Sequence, residues 1–468
     1  MFNLIYAWDR LRSGYWFVPT VVTVLMVGLA RLTLALDAAA AQNLPGLKID
    51  LFGGGPEGAT AILSTVAGSM ITIAGLVFSI TMVVLTLASS QFGPRLLRNF
   101  LRDPISQLVQ GCFVAVFLYC LFILGAIQFD GDQSAVPQIS VLTAVVLAVV
   151  NLGALIYYVH HVSVSIHADR LIAAVGNELV NAIDRLFVEV RTDSGDEALL
   201  IALSPEIPRL DPEFTAILNQ LEERPQLVRA RQDGYVQMID EIALVRWAAE
   251  HDLVVRMDRL PGHYVMRDGP LASVLIPEGT EWKSDWVGVI NRAVATGASR
   301  TPVQDLEFCL DQLVEIALRA LSPGINDPFT AIVCVDRLGS ALARLLKRDP
   351  PSCYRVDQEG RLRVVIRPVC FSAALDAAFN QLRQFSATSP AVAIRLVETL
   401  EALAHHVRHF PEADALCKHA VMIERACRGA ISEPFDLADL RERVRSLNAA
   451  LLRRGYSPPP PLATLING

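Results

Sequence analysis

No Cys-x-x-Cys pair occurs among the eight cysteines of this 468-residue chain. Paired-thiol redox chemistry and zinc ribbons therefore have no sequence support, and the scattered thiols read as small, reduced, apolar residues. No G-x-x-x-x-G-K-[ST], no G-x-G-x-x-G between a strand and a helix and no G-x-S-x-G elbow is present, so no enzyme and no cofactor is expected. Charge is scarce at the start. Up to Val164 there are seven basic residues (Arg10, Arg12, Arg31, Lys48, Arg95, Arg98, Arg102) and seven acidic ones, so the whole net charge of −7 lies beyond. An acidic remainder leaves no electrostatic footprint for nucleic acid.

What is abundant is apolar surface: 52% of residues, with a mean hydropathy of +0.39. Four stretches reach about the 20 residues a spanning helix needs: 15–36, 59–90, 105–127 and 136–159. Arg10 and Arg12 precede the first, Arg95, Arg98 and Arg102 fill the second loop, and Arg170 and Arg185 follow the fourth, whereas the other loops carry Asp37, Lys48, Asp50 and Glu57, then Asp130 and Asp132. Positive-inside bias then places both termini in the cytoplasm. "LALDAAAAQN" resembles a signal-peptidase site, but Arg31 and Asp37 interrupt the apolar core before it, which favours an uncleaved first helix.

The second stretch is the most unusual. Gly58–Pro94 is uncharged over 37 residues, and at 100° per residue Ser64, Gly68, Thr72, Gly75, Ser79, Thr86 and Ser90 share an arc of roughly 80°. Small residues on one helix face allow close packing between helices. The same face, followed by Arg95, Arg98 and Arg102 as a basic cytoplasmic mouth, also suits the lining of a pore. Four helices are few to enclose a conduit, so a pore requires self-association.

Beyond the membrane the expected organisation is a helical extension and linker over 165–230, a small β-rich domain over 231–282, a helical domain with one β-hairpin over 283–457, and a Pro-rich tail over 458–468. The fold class is thus an α-helical membrane protein whose 1–164 domain has four transmembrane helices. A mixed, mainly helical cytoplasmic region follows, containing a small β-barrel or sandwich. Short β-rich runs at 252–257, 263–266 and 271–276, separated by Pro-Gly and Asp-Gly turns, support the barrel. The "PGHYVMRDGPLASV" rhythm is similar to the half-repeat of lipoyl- and biotinyl-type domains, but Gly234–Pro277 lacks any lysine to carry a prosthetic group, so the similarity implies a barrel alone. Helices are expected at 285–296, 302–321, 328–347, 370–385, 390–410, 413–428 and 435–452, with a hairpin in "YRVDQEGRLRVVI".

Three polar constellations are candidate ligand sites. His160 and His167 lie seven residues apart at the exit of the fourth span. Asn326 and Asp327 sit in "RALSPGINDPFTA", where Asp327 caps a helix that Pro328 begins, and a helix N-terminus can hold an anion. Glu401, His405 and His409 have i, i+4, i+8 spacing, but without H-E-x-x-H order they read as a solvated helix face, and no metal is assigned.

"AWDRLRSGYWFVP", "STVAGSMITIAGLVFSITMVVLTLASSQFGPRLLRNF", "HHVSVSIHADR" and "RALSPGINDPFTA" resemble the signatures of a bacterial family of predicted integral membrane proteins filed as a domain of unknown function. The resemblance implies a multi-span inner-membrane protein with a large cytoplasmic region, and it supplies no activity. From the residues themselves the expected function is a homo-oligomeric channel-like pore with a cytoplasmic gating or assembly domain. The alternative is a membrane-anchored sensor or scaffold whose cytoplasmic domain binds a ligand or protein partner. The expected partners are the lipid bilayer, further copies of the chain and a small ion or ligand.

Overall fold

The computed structural model describes residues 16–43, 55–93, 103–127, 136–165, 168–187, 212–277 and 279–456. They belong to two units, Met1–Arg170 and Leu171–Gly468. The N-terminal unit contains α1 (Phe17–Asn43), α2 (Gly55–Phe92), α3 (Pro104–Ala126) and α4 (Gln138–Ser165). Each is long and apolar enough to cross a membrane.

α3 is the centre of this unit and packs against the other three helices. It starts where Asp103 accepts hydrogen bonds from the Ile105 and Ser106 backbone N–H groups and Pro104 takes the first turn. Its Phe113, Tyr119 and Ile123 are fully buried. At Gly111 it meets α1 so closely that a Cβ would lie 2.8 Å from the Pro19 Cα.

Several polar groups inside the bundle are paired, as a medium without water favours, although Gln138 Oε1 is buried without a partner among the described residues. Tyr119 Oη meets Thr33 Oγ1 of α1 at 2.9 Å and donates to the Ser140 carbonyl of α4 at 3.1 Å. Tyr158 Oη meets Thr81 Oγ1 of α2 at 2.6 Å. Asn151 Nδ2 donates to the Cys112 carbonyl at 3.3 Å. Asp37, which interrupts the first apolar run in the sequence, accepts from the Ile139 and Ser140 N–H groups and from Ser140 Oγ. It therefore caps α4 from the end of α1.

The C-terminal unit begins with α5 (Ala168–Leu186), whose Leu171, Ile172, Val175, Leu179 and Ile183 form one buried face. Asp184 holds it to α10 (Pro328–Leu346), accepting from Arg344 Nε and Nη2 at 2.5 and 2.6 Å and pairing with Arg348 at 2.7 Å. α6 (Pro212–Glu223) precedes β1 (Gln226–Arg229), β2 (Gly234–Ile239), α7 (Glu241–Glu250), β3 (Val254–Met257), β4 (Tyr264–Val265), β5 (Pro270–Leu275), α8 (Ser284–Arg292) and β6 (Val294–Gly297). After α9 (Leu306–Ala320) and α10 come the hairpin strands β7 (Tyr354–Val356) and β8 (Leu362–Val365), then α11 (Phe371–Phe385), α12 (Pro390–Ala404), α13 (Phe410–Arg428) and α14 (Pro434–Arg453).

The expected closed barrel is corrected here, because the strands make two open sheets. One has the order β1-β5-β3-β8-β7 and the other β4-β2-β6. β8 pairs parallel to β3 although about a hundred residues separate them, while the other pairings are antiparallel. The helix expected over 285–296 stops at Arg292, and Val294–Gly297 instead pairs with β2. Val294 and Thr296, both β-branched, gain more from the ladder with β2 than from another helical turn.

The expected single-face placement of Glu401, His405 and His409 is also corrected. α12 ends at Ala404, His405 is its C-cap and His409 is the N-cap of α13, so the three do not share a helix. Glu401 accepts from Ser446 Oγ at 2.6 Å.

Two predictions follow from the packing. Gly111→Leu should destabilise the N-terminal unit by about 1–3 kcal/mol or more, because the clash is with backbone. Gly125→Leu, which meets open space, should not; thermal melts of the purified protein compare them. His419 is 1% exposed, with Nε2 bonded to Asp376 at 2.9 Å and Nδ1 unpartnered among the described residues. Burial lowers its pKa, against the opposing pull of Asp376. The neutral imidazole is the folded form, so its stabilisation is complete above the unfolded value of about 6.5 and is lost as pH falls. Melting midpoints should drop between pH 7.5 and 5.5, and the drop should be smaller in His419→Gln.

Candidate functional site on the second membrane helix

α2 buries one narrow row. Ala59, Leu63, Ala67, Met70, Ala74 and Val77 recur at intervals of three and four and belong to the core shared with α3. The hydroxylic and glycine residues picked out from the sequence lie on the other side: Ser64, Gly68, Thr72, Gly75, Ser79, Thr86 and Ser90 are all exposed. Their arc is centred about 150° around the helix from the buried row. A Cβ built on Gly68 or Gly75 would have nothing within 4 Å, so neither glycine serves close packing inside this unit.

Three of the five hydroxyls in the stripe are bonded to their own helix. Thr72 Oγ1 donates to the Gly68 carbonyl at 2.8 Å, Thr86 Oγ1 to Met82 at 2.8 Å and Ser90 Oγ to Leu87 at 2.9 Å. Thr65 and Ser69, on the edge of the arc, donate to Ala61 and Thr65 at 2.7 and 2.8 Å. Each such oxygen keeps acceptor capacity directed outward, and none adds charge. The face is therefore weakly polar, narrow and shallow, bordered by exposed Ile71, Leu76 and Phe78.

Of the other candidates, Arg95, Arg98, Arg102 and His167 lie outside the described residues. His160 is exposed. Its neighbour His161, which the sequence reading passed over, meets Asp103 Oδ2 at 3.0 Å and stacks on Tyr157. It ties the last part of α4 to the first turn of α3.

Asn326 adopts φ +49° in the turn between α9 and α10. Asp327 accepts from the Thr330 N–H at 3.1 Å and from Thr330 Oγ1 at 2.5 Å. The Thr330 hydroxyl holds that carboxyl below the usual range despite some burial. The free N–H groups of α10 that an anion would need are thus already engaged. Among the described residues no group of three His, Cys, Asp or Glu side chains is placed to hold a metal ion.

Residues 12–402 match the family described as "Predicted membrane protein (DUF2254)". The chain belongs to this family of predicted membrane proteins. The DUF2254 match runs through both units and ends near the close of α12. Uncharacterized proteins of Mycobacterium tuberculosis, strains CDC 1551 / Oshkosh and H37Rv, and of Mycobacterium bovis are each 30% identical to it over 471 residues, covering 97% of this chain and 84% of theirs. No solved structure matches it.

The adjacent pair Ala67 and Gly68 separates the two sides of α2. Ala67→Leu, on the buried row, should cost about 1–3 kcal/mol by overpacking. Gly68→Leu, on the open side, should leave the fold of a single copy within about 0.5 kcal/mol. Fluorescence-detected melting of the monomeric fraction measures both.

Proposed function

We propose that this protein is a homo-oligomeric, channel-like protein of the bacterial inner membrane in which the α2 faces of several copies line a pathway. The observation that carries this reading is the outward direction of the Ser64–Ser90 stripe. In lipid such a face gains nothing over leucine, whereas against another copy or a file of water it gains close approach and hydroxyl contacts. The interior of one bundle supports the same reading: Phe113, Tyr119 and Tyr158 fill it and are fully buried, so a pathway belongs between copies. The absence of charge along the stripe suits passive conduction, and the arginines at 95, 98 and 102 would favour anions at the cytoplasmic mouth.

The C-terminal unit is the cytoplasmic assembly or gating element in this reading. Its support is covalent and electrostatic. α5 starts at Ala168, three residues after the described end of α4, and is clamped to α10 through Asp184, Arg344 and Arg348. The tether reading, an anchored sensor or scaffold, expects the stripe to turn toward helices of its own subunit, and the outward stripe favours the pore over it.

Purified protein in planar bilayers should give discrete currents, and Thr72→Leu or Ser79→Leu should change conductance at least about twofold without loss of folded protein. Silent bilayers with all three proteins, or a monomer by mass photometry, would overturn the proposal.

A further inference from the structure

The C-terminal unit contains a recess of about 130 Å³ beneath α6 that the pore reading does not use. Strand register builds it. Arg256 of β3 stands beside Val365 of β8, which in turn faces Tyr354 of β7. A guanidinium, an isopropyl group and a phenol thus lie in one cross-strand row on the sheet face that α6 covers. Leu218 and Leu221 of α6 supply the apolar wall, and Leu221 is fully buried.

Two charged side chains complete the rim. Arg367 lies two residues beyond Val365, on the same side of the strand direction, and Glu222 follows Leu221 on α6. Both are exposed, and neither makes a hydrogen bond or ion pair among the described residues. Arg256 uses Nε on Asp258 at 3.0 Å and Nη2 on Ser273 Oγ at 3.3 Å, which leaves Nη1 for a ligand. Cys353, also in the lining, is kept as a neutral thiol because burial raises its pKa.

The chemistry of the walls selects the ligand class. An inorganic anion would use the arginines and waste the leucines, and a hydrocarbon would do the reverse. A cavity near 150 Å³ admits benzene, so this one fits on the order of six non-hydrogen atoms. We propose that the recess binds a small carboxylate with a short apolar chain, the carboxylate on Arg256 and Arg367 and the chain against Leu218, Leu221 and Val365. A plain aliphatic acid and an α-amino acid share this chemistry, and Glu222 is placed to tell them apart by pairing with an ammonium group. The site is independent of whether the membrane helices conduct.

Isothermal titration of the full-length protein in detergent with butyrate, 2-aminobutyrate, butyramide and inorganic phosphate tests it. Saturable binding in the millimolar range is expected for at least one of the two carboxylates, with butyramide and phosphate at least about tenfold weaker. Arg256→Gln and Arg367→Gln should each weaken the bound carboxylate about tenfold, the loss of one charge-assisted hydrogen bond. Arg367 is exposed, so its variant decides the matter if Arg256→Gln fails to fold. A 2-aminobutyrate preference lost in Glu222→Gln identifies an amino acid; equal or tighter butyrate identifies a plain acid. Butyramide or phosphate binding as tightly as both carboxylates, no saturable binding at all, or undiminished affinity in Arg367→Gln would overturn the proposal.

Discussion

The contact on which the membrane unit depends is the row Ala59–Val77 of α2 against α3. A helix in a small bundle buries a single stripe, and burying one stripe fixes the direction of every other residue on it. Alternation of alanine with Leu63, Met70 and Val77 lets α2 lie close to α3 while still filling the space around Phe113 and Tyr119. With that row inward, the glycine and hydroxyl arc has nowhere to go but outward. The functional reading rests on this rotation, and the rotation is a packing result.

The bundle is held in register by side chains that a hydropathy profile treats as blemishes. Asp37 caps α4, Asp103 caps α3 and meets His161, and the two buried tyrosines each join their helix to a threonine on another. In hydrocarbon the association of apolar faces has no hydrophobic drive, so such directional contacts and close packing select one arrangement among many. Burying these hydroxyls on threonine and carbonyl partners also leaves them unavailable as an internal conduit.

The C-terminal unit uses charge differently. Lys48, Lys283, Lys347 and Lys418 are the lysines of the whole chain, and arginine forks fasten several distant segments. Arg363 of β8 bonds Asp357 in its own hairpin and Asp252 before β3 at 2.6 and 2.7 Å, fastening the parallel β3–β8 pair. Arg300 bonds Asp305 and Asp311 at 2.7 and 2.8 Å, fixing the entry to α9. A planar fork serves two acceptors at once, which a lysine ammonium does less specifically.

Sequence by itself determined what depends on local pattern: four apolar helices, the hairpin in "YRVDQEGRLRVVI", the cap at Asp327, and the composition of the α2 stripe. Helix propensity, turn chemistry and hydropathy act within a few residues, so they can be read from a few residues. Tertiary structure decided everything that needed a distant partner. The parallel insertion of β8 beside β3 turned an expected barrel into open sheets, β6 took the end of an expected helix, and α12 stopped before His405 could join Glu401. It also placed Arg256, Val365 and Tyr354 side by side and turned Ser64–Ser90 away from its own bundle. The sheet pairings and the turn of α2 rest on contacts between segments from tens to about a hundred residues apart, and no short window along the chain contains both sides of them.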